Sequence, residues 1–286
     1  ELDVDEFVSI SSITYRYFLD EGVYDDVYMT ASHVLAFIQQ CVRGGRTMCN
    51  SNKKAIFAGG KKKRLNDFDA VSLYPSAMER LGGYLKGKPK PFGSEMKFNE
   101  LKKYDGYFVE IVIDEVGKKL EFPLMSYKSK NGVVSFENKV EGKTMHVDKT
   151  TLEDLIKFQK IKFTIVRGYY FDEGRNYKLK EVIRYLFDER VKQKKLENPI
   201  QQVLKLMMNS AYGKTLLKPN ETENKFKKNE AVDKYVSKYY NIVTEIVKLN
   251  DKTSMVKEVI PICDHFNYSH AGVEVLSMSK RIMNEV

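Results

Sequence analysis

Three groupings of residues have the types and spacing that chemistry needs. The first is Asp67-Phe-Asp-Ala-Val-Ser-Leu-Tyr-Pro75. Alternation from Leu65 to Val71 predicts a strand that delivers Asp69 to a turn, after which Pro75 opens a short helix. A carboxylate on a rigid strand end is what nucleotidyl transfer needs to hold divalent ions about 3.5–4 Å apart. Mg²⁺ takes one or two carboxylates and fills its shell with water and phosphate oxygens. The turn would aim free backbone N–H groups at a triphosphate, and Tyr74 is placed to floor a sugar pocket. The same stretch also fits an edge strand with Asp67 and Asp69 simply solvated.

The second grouping is Lys205-Leu-Met-Met-Asn-Ser-Ala-Tyr-Gly213. At about 100° per residue, Ile200, Val203, Leu204, Met207 and Ala211 share one helical face. Lys205, Asn209 and Tyr212 form a row on the opposite face, where a cation, an amide and a ring can meet a phosphate, a nucleotide and a base. An ordinary amphipathic helix would look the same. In the third grouping, Arg190 and Lys194 are i, i+4 neighbours, with Lys192 and Lys195 beside them. Two cations on one face suit phosphate, and equally a solvated surface.

The elements that must position these groups follow from pattern and punctuation. Thr30 to Val42 reads as a helix, followed by the basic glycine turn Arg43-Gly44-Gly45-Arg46. Lys53 to Arg64 is a basic loop or hairpin around Gly59-Gly60. Gly82-Gly83 ends the helix that Pro75 opens. Lys86 to Pro91 reads as a linker. Strands are predicted at Tyr107–Ile113 and Lys162–Tyr170, within a mainly β stretch with few helix signals. A helix runs from about Lys178 to Lys195. Asn198 then caps a second helix, with Pro199 at its first position and Gly213 at its end. Ala231 to Leu249 reads as a helix in a lysine-rich stretch, and His270 to Val286 starts a last one.

The 286 residues predict about two domains. With 42% hydrophobic and 12% aromatic residues, a disordered chain is excluded. The 48 Lys and Arg against 39 Asp and Glu leave a net charge of +9, which suits a polyanionic partner. Three cysteines make no disulfide framework, so a reduced intracellular compartment is expected. Val27–Val42 is too polar and short to span a membrane. Gly142-Lys-Thr144 and Gly213-Lys-Thr215 lack the earlier glycine of a phosphate-binding loop. The histidines and cysteines show no zinc spacing.

In this order, the three groupings resemble family B DNA polymerases. Asp69-x-x-Ser72-Leu73-Tyr74-Pro75 is similar to their motif A, and Lys205-x-x-x-Asn209-Ser-x-Tyr212-Gly213 to their motif B. The 136 residues between Asp69 and Lys205 resemble the spacing of the protein-primed branch of phages, linear plasmids and large DNA viruses. That branch carries a terminal-protein region between the motifs. The implied fold is α+β, a palm and fingers with a β-rich insertion, truncated at both ends. The expected division is 1–91 for a lead-in and first part of the palm, 92–175 for the insertion and 176–213 for the fingers. A second insertion and a palm helix leading towards motif C would fill 214–286.

The resemblance implies roles. Asp69 would bind metal, with the Ala70 carbonyl at a second ion. The ions would be two Mg²⁺, with Mn²⁺ able to substitute. Tyr74 would reject a ribose 2′-OH. Ser72, Leu73, Arg190, Lys194 and Lys205 would hold the dNTP, Lys205 with a catalytic role. Asn209 and Tyr212 would touch the nascent pair. Arg43-Gly44-Gly45 resembles the family's Tyr-x-Gly-Gly linker. With Lys61, Lys62, Lys63, Tyr212 and Gly213 it would contact primer–template DNA, and a terminal protein would be the priming partner. There are departures. Val42 stands where the linker motif has its aromatic, and no Asp-Thr-Asp of motif C occurs. Nor does the Asp-x-Glu pair of an editing exonuclease. The rival readings are a non-catalytic DNA- or nucleotide-binding piece of a split or decayed polymerase, and a cellular polymerase without the insertion.

Overall fold

The computed structural model describes residues 7, 9–47, 69–128, 133–218 and 220–286. The basic stretch Lys53–Arg64, Asp67 and the first residues of the strand expected at Leu65–Val71 lie outside them. The chain opens with α1 (Ile10–Asp20), β1 (Thr30–Ala31), α2 (Ser32–Gln39) and α3 (Leu73–Leu81). Then come β2 (Tyr84–Leu85), β3 (Lys90–Phe92), α4 (Phe98–Leu101), β4 (Gly106–Val116), β5 (Ser126–Lys128), β6 (Val134–Phe136) and β7 (Thr144–Asp148). The middle holds α5 (Lys149–Gln159), β8 (Ile161–Phe171), β9 (Arg175–Asn176), α6 (Lys178–Lys195) and α7 (Ile200–Ser210). Last are β10 (Thr222–Lys228), α8 (Asn229–Tyr239), β11 (Val243–Lys248), β12 (Thr253–Val259), β13 (Phe266–Asn267) and α9 (Ser269–Asn284).

A helical layer is built from α1, α3, α6, α7 and α9. Their apolar stripes bury Phe18, Ala77, Met78, Leu179, Ile183, Leu186, Met208, Ala211, Val275 and Met278 in one core. Tyr24 stacks there between Tyr84 (5.6 Å) and Tyr268 (4.5 Å). Beside it stands an antiparallel four-stranded sheet in the order β3-β8-β4-β7. Val109, Ile111 and Ile113 of β4 pack with Leu152 and Leu155 of α5 in a second core. Phe108 and Phe171 join Phe37 and Ile38 of α2 and Val273 of α9 in a third. The sheet is therefore covered on both sides. A third unit, the sheet β10-β12-β11, buries Val256 and packs with α8 through Val232. Among the described residues no helix is long and apolar enough to cross a membrane.

Several expectations change. Lys86–Pro91 is not a plain linker, because Lys90–Phe92 pairs with Tyr170–Gly168 at the sheet edge. An edge tolerates Pro91, whose missing N–H need not face a partner. The stretch read as mainly β contains α5, capped by Asp148, whose side chain accepts from the N–H of Thr150 (3.2 Å) and Thr151 (3.3 Å). The helix expected at Thr30–Val42 is shorter, since Thr30 and Ala31 pair with Asn267 and Phe266. α3 begins at Leu73, two residues before Pro75, whose absent N–H costs nothing in a first turn. Gly82 ends it at φ 82°. The expected helix Ala231–Leu249 stops at Tyr239. Val243–Lys248 is instead a strand, where β-branched residues pack well on a pleated surface.

The polarity of α7 also differs. Ile200 and Val203, expected on the buried face, are 48% and 44% exposed. The buried stripe runs through Leu204, Met208 and Ala211 instead. The first turn of α7 projects beyond the core, so periodicity there selects no partner. Asn198 does cap, with its side-chain oxygen accepting from Ile200 N–H at 3.0 Å. The α-helical part ends at Ser210, and a tight turn over Gly213–Leu216 follows.

Candidate functional site

α3, α6 and α7 converge because each lays an apolar stripe into the same core. Asp69 is exposed and Ala70 half-buried just before a turn through Val71 and Ser72. Ser72 is in the left-handed region, at φ 51° and ψ 47°. That conformation costs an L residue roughly 1–2 kcal/mol. Its hydroxyl does not cap α3. It accepts instead from Arg190 Nη1 of α6, at 3.2 Å. Arg190 Nε is buried and has no hydrogen-bond partner among the described residues.

The second junction is aromatic. Tyr74 and Tyr212 stack with centroids 4.4 Å apart and planes 29° apart. Burial first, then the neighbouring Tyr74 phenol, pushes the Tyr212 hydroxyl well above the ordinary phenol value. Lys194, Lys205 and Asn209 are exposed. Among the described residues no carboxylate pairs with either lysine, whereas nearby Arg184 and Lys192 pair with Glu79 and Glu189. Sequence motifs far apart in the chain therefore meet at two points, Ser72–Arg190 and Tyr74–Tyr212.

Other expected residues sit differently. Arg43 is half-buried, and its Nη1 donates to the Val42 carbonyl at 2.9 Å. Burial lowers its pKa. Gly44 and Gly45 are exposed, with open space where a side chain would stand. Gly213 begins the tight turn after α7. Lys61, Lys62 and Lys63 lie outside the described residues. No group of three or more His, Cys, Asp or Glu side chains able to hold a metal occurs among the described residues.

Lys280 of α9 lies outside the sequence motifs. It lines a cavity of about 250 Å³ together with Arg46, Leu73, Tyr74, Thr151 and Asn284. Burial lowers the Lys280 pKa, with Asp148 acting against it. Its ammonium donates to the Arg43 carbonyl at 3.2 Å. A single lysine after ten mostly apolar or small residues was the only local signal. Arg46 is engaged by the Phe122 carbonyl (2.6 Å) and Asn284 Oδ1 (3.1 Å).

A family model, DNA polymerase type B, organellar and viral, matches residues 1–282. The chain belongs to this family. Its fold resembles Phi29 DNA polymerase complexed with primer-template DNA and incoming nucleotide substrates. That match has a TM-score of 0.61 at 17% identity and covers 98% of this chain and 46% of that one. Phi29 DNA polymerase complexed with primer-template DNA gives 0.58 at 17% identity, covering 96% and 44%. The orthorhombic crystal form of Phi29 DNA polymerase gives 0.58 at 18% identity, with the same coverage. The chain thus spans less than half the length of these solved relatives. No curated protein matches it.

Proposed function

We propose that this chain forms palm and fingers of a template-directed DNA polymerase, with a protein-primed start. The junction of the two motifs through Tyr74–Tyr212 and Ser72–Arg190 carries the reading. Arg190, Lys194 and Lys205 offer cations to a triphosphate, and the first N–H groups of α3 face the same ligand. Tyr74 rejects a 2′-hydroxyl, and Asn209 and Tyr212 meet the nascent pair. The +9 charge suits a DNA partner whose binding weakens with salt. Arg43, Gly44 and Gly45 are the proposed linker contact. The 136-residue interval between the motifs supports a terminal protein as primer.

Asp69 fits a hard cation: it is an exposed carboxylate with the Ala70 carbonyl beside it as a second oxygen donor. Bound Mg²⁺, or Mn²⁺ in its place, would activate the primer 3′-hydroxyl and neutralise departing pyrophosphate. Asp69→Asn in the complete protein carrying this chain is expected to abolish primer extension and leave DNA binding intact. Loss of both together would overturn the reading and make Asp69 structural. A second reading is a DNA- or nucleotide-binding piece without catalysis. That reading requires unaltered protein that binds primer–template and dNTP yet extends nothing with either ion.

A further inference from the structure

We infer that Ser72 is a positioning residue, whose hydroxyl sets the place of the Arg190 guanidinium rather than touching nucleotide itself. The inference rests on the polymerase reading of the site and assigns Ser72 a different task within it. A serine at the start of a helix ordinarily turns its oxygen to the N–H two or three residues on. Ser72 does not. Its left-handed backbone carries the oxygen away from α3 and onto Arg190 Nη1. Two consequences follow. The leading N–H groups of α3 are left without a side-chain cap, open to an anion. The one polar hold on Arg190 among the described residues comes from the residue next to those same N–H groups, since its Nε has no partner.

One side chain therefore ties a guanidinium on α6 to an uncapped helix start on α3. Bidentate recognition of phosphate depends on a fixed guanidinium plane. Without the hydroxyl, Arg190 keeps its charge and loses its setting. Hydrogen bonds to charged groups are the stronger kind, so a change of about tenfold is expected in nucleotide affinity.

The test is single-nucleotide incorporation by the complete protein, with equilibrium binding of inorganic tripolyphosphate measured alongside. Ser72→Ala should raise KM for dNTP about tenfold, keep kcat within about twofold and weaken tripolyphosphate binding to match. Ser72→Thr, which restores a hydroxyl, should recover most of the loss. Ser72→Gly suits the left-handed backbone, so it should melt no lower than the parent and still bind as weakly as Ser72→Ala. That variant separates folding from positioning. Ser72→Ala should add nothing in an Arg190→Ala background. An unchanged KM, or a full further loss in that background, would overturn the inference. Absence of extension by the unaltered protein, with Ser72-dependent tripolyphosphate binding intact, would sink the polymerase reading and uphold the positioning role.

Discussion

The seam between α5 and α9 and the cleft between α3, α6 and α7 are both rich in cations, and they treat them in opposite ways. In the seam, Arg281 is held by Asp154 at 2.7 Å, Glu153 at 2.9 Å and the Thr150 carbonyl at 2.7 Å. Asn284 adds a bond to Asp154 at 3.0 Å, and Ser277 joins Asp148 at 2.7 Å. Deeper on α9, Glu274 is paired with Arg175 at 2.7 Å, the two side chains being 4% and 16% exposed. In the cleft, Lys194 and Lys205 have no carboxylate partner among the described residues, and Arg190 has a single hydroxyl. Charge neutralised by the chain itself fixes how α5 and the four-stranded sheet sit on the helical layer. Charge left unneutralised stays open to solvent, and under the proposed function it would meet the triphosphate.

The largest expected effect lies on the paired side. Arg175→Met should cost roughly 3–5 kcal/mol, because it strands the buried Glu274 carboxyl. It also removes the donor to the Gly83 and Asp105 carbonyls. Urea unfolding measures this, and a loss below about 1 kcal/mol would erase the distinction between seam and cleft. Next is His270, fully buried against Phe171, with its pKa pulled down to about 3 by burial. The folded state prefers the neutral ring, so this contribution is whole above pH 6.5, where the unfolded chain is neutral too. It is lost as pH falls from 6.5 towards 3, at up to about 1.4 kcal/mol per unit. His270→Phe should flatten that acid limb in stability measured from pH 7 to 5. An unchanged slope would place the proton uptake elsewhere. The smallest effect belongs to the cleft. Lys205→Ala should shift stability by no more than about 0.5 kcal/mol while raising KM for dNTP. A large stability loss there would mean that the lysine is structural after all.

The sequence discloses those elements whose cause is local. α6 matches its expected span from Lys178 to Lys195, and Asn198 caps α7 as its type and place suggest. β4 and β8 contain the strands expected at Tyr107–Ile113 and Lys162–Tyr170. α5 escapes notice because its apolar residues are interleaved with Lys149, Glu153, Asp154 and Lys157. β11 is hidden by continuing an α-helical pattern past Tyr239. The candidate site is marked in the sequence by residue types, and its contacts are not. Ser72 and Arg190 are 118 residues apart, and Arg281 and Asp154 127 apart, so no local periodicity encodes either bond. The exposed Ile200 and Val203 show the reverse error, an apolar spacing for which the described residues supply no facing surface.

α9 is buried on all sides from Ser269 to Val275 and again from Ser277 to Ser279. At Gly272 even one added carbon would collide with Thr215 and Leu216 of the turn that follows α7. Two consecutive residues further along look in different directions, Lys280 towards the Arg43 carbonyl and Arg281 towards Asp154. A helix so enclosed behaves as a key cut for one setting of its lock. Inserting a single residue within it would turn everything beyond by about 100°. Lys280 would move into the place of Arg281 and Arg281 would turn a further step round, so the hold on the Arg43 carbonyl and the seam with α5 would be lost together. Length in this segment is therefore under tighter constraint than composition, and deletions and insertions should be tolerated far less than substitutions.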